Sequence, residues 1–507
     1  MKENRREFLK KCGLGAGAVM TSGLWLSPFL GGCSQSGDTA MSENIYGLTK
    51  EDMEKILKAA LSKGGDFADL FFEYNISNSV RMSEDIIKSS SESIAMGVGV
   101  RVLKGSQTGF GYTNDMNLEK IIETAKSAAA IASSGAKVNA ADLTEKPLKR
   151  DFYKVKTPFD KAEIAEKIEL IRRAYDKAIN HDNRVKKVSV SLADEIQYVT
   201  IANSEGLLIS DVRPQARLMV SSTAEENGKK ATGYSNAGGR VGMAFYLSEK
   251  SPEEIGRKAS EEAVILLSAK DAPAGEMPVV LSKDQSGVMI HEAVGHPLEG
   301  DGAWKKTSLM WDKLGKEVAS PMVTIYDDAT IPNYRGSLNI DDEGVVTENV
   351  PLIENGKLVG YLNDRLAAKM LGTKPNGHGR RESFRNPPIP RMNNTVLASG
   401  DHDPEEIIGS VKKGFYAISY QGGMVNNTGQ FTFSINLGYM IEDGKLAYPL
   451  KNATLIGSNI GIMKDIDMVG NDMGYFLGTC GKDGQSVPVT AGTPTLRIKK
   501  MTVGGIA

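Results

Sequence analysis

Apolar and polar positions follow two different rhythms along this chain, and the change near residue 272 divides it. In the first part, helical stripes and strand-like runs take turns. Met53, Ile56, Leu57 and Ala60 fall three and four apart, which puts them on one helix face. Thr49 stands at the N-cap, Glu51 and Asp52 sit in the first turn, and Gly64-Gly65 stops the helix. Strand-like segments follow at 70–74, 94–103 and 109–113, then a helix from Asn117 to about Ala132. The order then returns: a helix from about Lys161 to Ile179, strand-like runs at 188–192, 198–201, 207–210 and 216–222, and a closing helix from Pro252 to Leu267. Gly111-Tyr112-Thr113-Asn114 and Gly233-Tyr234-Ser235-Asn236 hold corresponding places, after the strands and before the closing helix. The pattern predicts an N-terminal α/β domain over 48–272, with an internal repeat (48–134 and 160–268) of a helix, an antiparallel sheet and a second helix. The competing reading is that the shared tetrapeptide is a common turn.

From about Glu276 the texture changes to short strands separated by turns. Leu352 to Val359 carries an Asn355-Gly356 hairpin signal between apolar residues. Phe431, Phe433, Ile435, Leu437, Tyr439 and Ile441 alternate without a break, and Glu442-Asp443-Gly444 turns the chain. Residues 273–507 are therefore expected to form a β-rich irregular barrel or curled sheet with a helix around His291 laid against it. The whole is an α+β protein, too long for one simple core.

The start of the chain belongs to neither rhythm. Arg5-Arg6-Glu7-Phe8-Leu9-Lys10 is a twin-arginine pattern, followed by an apolar, Gly/Ala-rich run from Gly13 to Leu30 and then Gly31-Gly32-Cys33. It resembles a signal peptide over 1–32 ending in the lipobox of bacterial lipoproteins, with Cys33 taking the lipid and 33–47 serving as a polar tether. An uncleaved anchor, or cleavage elsewhere, is the alternative. Either way the bulk of the protein is expected outside the cytoplasm; the lipobox reading adds export by the twin-arginine route and a lipid anchor in the cell envelope, periplasmic in a Gram-negative bacterium. Five basic and two acidic residues leave with such a leader, taking the formal charge from −2 to −5. No basic run remains that would suggest nucleic acid. Of three cysteines, Cys12 lies in the leader and Cys33 at its end, so Cys480 is left without a disulfide partner.

The chemistry concentrates in Val288-Met289-Ile290-His291-Glu292-Ala293-Val294-Gly295-His296-Pro297, which holds two of the chain's five histidines and a carboxylate within six residues. Two neutral imidazoles can hold a divalent metal, and a glutamate beside the first can take a proton from a metal-bound water. Histidines five apart lie about 140° out of line on a regular α-helix. Both face one metal only if the helix loosens into a π turn, or if it ends at Gly295 and His296 reaches in from outside, where Pro297 pushes it. A third ligand would leave one position open for water. Cys480, in the glycine-flanked turn Gly478-Thr479-Cys480-Gly481-Lys482-Asp483-Gly484-Gln485, would serve as a thiolate; a buried, inert thiol is the other reading. Glu299 and Asp301 are candidates for orienting the histidines, or are solvated turn residues. The stretch from Gly377 to Asn394 is rich in proline and arginine. It either presents His378, Arg380, Arg381, Arg391 and Asn393 to substrate carbonyls or carboxylates, or ties domains together.

Three blocks carry a family resemblance: His291-Glu292-Ala293-Val294-Gly295-His296-Pro297-Leu298-Glu299-Gly300-Asp301, the run from Gly379-Arg380-Arg381-Glu382-Ser383 to Pro390-Arg391-Met392-Asn393-Asn394-Thr395, and Cys480-Gly481-Lys482-Asp483-Gly484-Gln485-Ser486 with Val503-Gly504-Gly505. Together they resemble the TldD branch of the TldD/TldE (PmbA) metalloprotease family, over essentially the whole chain beyond the tether. The resemblance implies a peptidase that takes short or unfolded polypeptides into an enclosed cavity. It implies His291, His296 and Cys480 as ligands of one divalent metal, zinc or else iron, and Glu292 as catalytic base. It also implies a TldE/PmbA-like partner subunit without the metal motif, or a homodimer. Pro297 stands where the family has a glycine, and lipoprotein export is not typical of its cytoplasmic members. Two rival readings remain at this point: a metal-dependent amidase on a cell-envelope substrate, and a non-catalytic lipoprotein that binds peptides or a partner around a structural metal.

Overall fold

Four helices cover one face of the N-terminal sheet. They are α1 (Lys50–Ala60), α2 (Leu118–Ile131), α3 (Ile164–Ile179) and α4 (Pro252–Ser268). The computed structural model describes residues 45–131, 139–155, 157–425 and 429–505. The twin-arginine leader, Cys33 and most of the tether lie outside the described residues. Among the described residues, no helix is long and apolar enough to cross a membrane.

The sheet beneath these helices has the strand order β3-β2-β1-β4-β5-β6, with β1 Phe67–Ser83, β2 Ile86–Lys104, β3 Gln107–Thr113, β4 Val185–Asn203, β5 Leu207–Glu226 and β6 Lys229–Gly239. Strands β1 and β4 pair antiparallel at its midline, and the order outward from that line is the same on both sides. Gly111 and Gly233 stand on the outer strands β3 and β6, each leaving room for the closing helix: a Cβ on Gly111 would meet Thr124, and one on Gly233 would meet Ala259 and Ala263. The strands are much longer than the apolar runs suggest. The separate segments at 188–192 and 198–201 are one strand, and so are those at 207–210 and 216–222. Polar residues between the runs hid the continuity; some fit the strand through paired groups, as Asp194 does in receiving the Lys167 ammonium from α3 at 2.9 Å. Leu70 and Phe72 face α1 and α2, and Val80 and Met82 face α3. The odd positions of β1 face away from the helices, and there Phe71 packs on Ile340 and Phe384 from the second half of the chain.

The second half contains a closed barrel. Strands β7 (Gly275–Leu281), β8 (Lys413–Val425), β9 (Gln430–Glu442), β10 (Ala453–Ser458) and β12 (Gln485–Gly504) pair in that order, and β10 pairs with β12 while β12 returns to β7. Strand β11 (Ile466–Lys482) forms a hairpin with β12. A run of short strands, 394–397, 325–328, 349–354 and 357–358, extends the sheet from β12. The Asn355-Gly356 turn has both residues at positive φ, 46° and 83°, as a primed hairpin turn requires. The segment 287–298 does more than lean on the barrel: Met289, Ile290, Ala293, Val294 and Leu298 are fully buried in the same core as the strands. That burial fixes the direction in which its polar residues face.

Candidate metal centre

Residues 287–290 form one turn of α-helix, His291–Gly295 form a π turn, and His296–Leu298 continue as a 3₁₀ turn. Of the two local solutions open to the sequence, the chain takes the wider turn, and the five-residue spacing brings His291 and His296 to one side with ring centroids 5.1 Å apart. Gly295 permits this for reasons of space: its φ is ordinary at −56°, but a Cβ there would overlap the Met392 thioether.

The hairpin of β11 and β12 brings Cys480 to the same place. Its Sγ lies 3.4 Å from His296 Nε2, and one donor atom from each of His291, His296 and Cys480 falls within 4.8 Å of the others. Glu292 reaches the same spot, with Oε2 3.9 Å from His296 Nε2. All four line a cavity of about 820 Å³ whose other walls include Asp301, Leu309, Gly423, Met424 and Gly478.

The electrostatics suit a cation. Burial would raise the Cys480 thiol, but His291 and His296 outweigh it and bring it down to about 4. Burial would lower His296, but Glu299 and Cys480 hold it well above the usual histidine range. Glu299 is itself held at about 2, because His296, Lys482 and Arg391 override its burial. His291 Nδ1 is buried and has no hydrogen-bond partner. Two imidazoles and a low-pKa thiol converging on one point, with a buried ring nitrogen left over, is a donor set that fits a divalent metal such as zinc.

The surroundings lock the donors together. Glu299 Oε2 accepts from or shares a proton with His296 Nδ1 at 3.1 Å. Lys482, two residues past Cys480, binds Glu299 at 3.1 Å and Asp301 at 2.7 Å. Arg391 donates to the Cys480 carbonyl at 2.5 Å. The helix and the hairpin are thus joined twice, once through donor atoms and once through buried ion pairs. The sequence by itself gives Lys482 no role. Its distance of two residues from Cys480, next to two carboxylates five and three residues beyond His296, was the available signal. Asp301 is corrected: it touches neither histidine in the described bonds and serves the lysine instead.

The expectation that residues 377–394 present their polar side chains to substrate is not met at the donor cluster: none of His378, Arg380, Arg381, Arg391 and Asn393 lines that cavity. His378 bonds Asn376 and Asp327, Asn393 bonds Asp327 and the Gly377 carbonyl, and Arg391 bonds the Cys480 and Gln485 carbonyls; all three are fully buried. Arg380 and Arg381 also hold backbone carbonyls, and their small exposed edges open onto a different cavity. The physical reason is that most of their donors already bond protein groups, although Arg381 Nε and Arg391 Nε are buried without a partner. This stretch supports the Cys480 hairpin from behind.

Comparison with known proteins matches three family models in order: PmbA/TldA metallopeptidase domain 1 over residues 68–132, the central domain over 157–267 and the C-terminal domain over 274–505. A "Metalloprotease TldD homolog" of Haemophilus influenzae is 42% identical over 87% of this chain and 93% of its own. A "Zinc metalloprotease TldD homolog" of Saccharolobus solfataricus is 29% identical over 89% of this chain and 100% of its own. Among solved structures, a Thermotoga maritima protein described as a modulator of a DNA gyrase superposes with a TM-score of 0.74 at 24% identity, over 90% of this chain and all of that one. TldE from Thermococcus kodakarensis does so with a TM-score of 0.68 at 19% identity, over 90% of this chain and all of its own. These two structural likenesses speak to the fold.

Proposed function

The chain belongs to the PmbA/TldA metallopeptidase family, in its TldD branch, and from that premise we propose that it hydrolyses short or unfolded polypeptides at a metal held by His291, His296 and Cys480, with Glu292 as the proton carrier. Membership makes it a metal-dependent peptidase; the ligand set and the base are our assignment. The observation that carries it is the convergence of three donors within 4.8 Å beside Glu292 on the wall of one cavity.

The metal, when bound, polarises a water and a peptide carbonyl, and zinc suits the two nitrogens and one sulfur offered here. The protein does the rest. Glu292 takes the proton of the attacking water on its carboxylate and returns it to the departing nitrogen. Glu299 fixes the His296 ring through Nδ1 and so directs Nε2 toward the donor cluster. Arg391 and Lys482 keep the Cys480 strand against that ring. An extended peptide has a backbone edge to pair with: β8 bonds β7 only over Phe415–Ala417, which leaves the far side of its exposed end from Gln421 to Val425 without a strand partner among the described residues, and Gly423, Met424 and Val425 line the cavity. Pairing of this kind reads backbone more than side chain and gives broad specificity.

A TldE-like subunit is the partner we infer, since the family pairs the two. We further infer export through the twin-arginine leader and anchorage at Cys33. To test the activity, zinc-loaded protein, alone and with a TldE-like subunit, is incubated with a reduced, alkylated polypeptide and the products are read by mass spectrometry. Internal peptide cleavages that stop on chelation support the reading. A fully metal-loaded protein that cleaves nothing in either condition contradicts it.

A further inference from the structure

Beyond Phe71, the face of the N-terminal sheet turned away from its helices is lined mostly with polar side chains. Across β2, β1, β4 and β5 the register sets Ala95, Asn75, Gln197 and Arg213 in one row, and Ser93, Ser77, Glu195 and Gln215 in the next. Two cavities of about 350 Å³ each adjoin over these rows and share Glu195, Gln215 and Arg335. The second is bounded by the back of the Cys480 hairpin, and Thr479 lines both it and the catalytic cavity.

Charge in this second cavity is out of balance: six arginines line it against four carboxylates. Arg213 is matched by Asp211 and Asp342, and Arg381 by Asp69. Arg240, Arg335, Arg380 and the exposed Arg385 form no ion pair among the described residues. Arg240 donates to the Ser337 carbonyl, Arg335 to the Gly478 carbonyl at 2.9 Å and Thr479 Oγ1 at 3.2 Å, and Arg380 to the Met392 carbonyl and, at 2.8 Å, to that of Pro488. Two of the carboxylates in reach are engaged by neutral donors: Glu73 accepts from Gln197 and the Phe384 amide, and Glu382 from the Ser486 amide. Glu195 is the remaining acid, half-buried and without an ion pair. A buried guanidinium without a counter-ion is costly, and bonds to neutral carbonyls offset this only in part. Burial and neighbouring arginines accordingly lower Arg335 to about 10, and burial, with arginines beside it, lowers Arg380 to about 9. The same walls hold buried polar atoms without partners: Arg381 Nε, a donor, and Asn75 Oδ1 and Gln215 Oε1, two acceptors.

We propose that this cavity is a binding site for a carboxylate carried next to an amide, as at the C-terminal end of a peptide, with Arg240, Arg335 and Arg380 supplying the counter-charge. A planar guanidinium suits a carboxylate because it donates two parallel hydrogen bonds. The unpartnered acceptors Asn75 and Gln215 answer the N–H that an amide brings. This assignment stands whether or not Glu292 proves to be the base, because it uses no residue of the catalytic cavity's donor cluster.

The test is equilibrium binding by calorimetry on the zinc-loaded protein, with N-acetylalanine, its uncharged amide, acetate and inorganic phosphate as probes. The expected result is binding of N-acetylalanine at least tenfold tighter than of its amide or of acetate or phosphate. Arg335→Gln and Arg240→Gln are each expected to weaken it at least tenfold. Equal binding of acid and amide, or no binding of either, overturns the proposal. Affinity unchanged in a folded Arg335→Gln protein also overturns it, since that places the acid on the metal instead. Acetate or phosphate binding as tightly as N-acetylalanine overturns the peptide-end assignment in favour of a free anion. If the arginine variants fail to fold, the acid-against-amide comparison on the wild type decides.

Discussion

Cys480 Sγ stands 3.4 Å from His296 Nε2 although 184 residues separate the two. A π turn and a hairpin bring them together, and the burial of both elements in one barrel core holds them there. If the pair is two corners of a metal site, Cys480→Ser replaces a thiolate by a hydroxyl that stays protonated at neutral pH. Bound metal is then expected to fall by more than the 10–100-fold that follows loss of an outer partner. Elemental analysis after dialysis against a weak chelator reads this; unchanged metal content would remove Cys480 from the site.

Glu292→Gln keeps the size of the side chain and removes its ability to take a proton. The expected result is a fall of roughly 10²–10⁴-fold in kcat with metal content unchanged. A variant that alters KM alone would show Glu292 to be a binding group.

Gly295→Ala tests the π turn. The added methyl would overlap Met392, and overpacking of this kind costs about 1–3 kcal/mol. A lower Tm and weaker metal retention are expected, with partial recovery on adding Met392→Ala. A Gly295→Ala protein as stable as the wild type would mean that the turn has room to spare.

The histidine pair and its five-residue spacing were legible in the sequence because a π turn or a helix end were the only local ways to make both imidazoles converge, and Gly295 and Pro297 marked the place. Cys480 was legible as a candidate third ligand beside the reading of a buried, inert thiol, and the family resemblance implied the former. What could not be read was the support. Arg391 and Asn393 look like a cleft lining because polar residues beside prolines read as exposed loop; only the fold shows that Asp327 and the hairpin carbonyls lie within reach of their donors. Barrel closure was likewise hidden, since pairing of 454–456 with 502–504 is a contact between distant strands with no local signature. The long ribbons of the first sheet were broken in the sequence by paired polar residues such as Asp194.

The acids around Arg101 give a pH dependence of their own. Burial and the adjacent Glu343 raise Asp364 from its usual 3.8 to about 7. The folded state therefore binds a proton that the unfolded state has lost, so this group's stabilisation is complete below about pH 4 and disappears as pH rises through about 7. The slope is at most about 1.4 kcal/mol per pH unit. Asp364→Asn retains an oxygen to cap the helix at Arg365–Leu371, as Asp364 does through the Ala367 amide at 2.7 Å. The variant's Tm relative to wild type is expected to rise between pH 5 and 8, and a difference that stays flat or falls would contradict the assignment.

The central claim is that one sulfur and two imidazole nitrogens hold a single metal. X-ray absorption on zinc-loaded protein tests it most directly. We predict one sulfur scatterer at about 2.3 Å with nitrogen and oxygen neighbours at about 2.0–2.1 Å, and loss of the sulfur shell in any zinc that Cys480→Ser retains. A wild-type spectrum with only nitrogen and oxygen around the metal would contradict the account.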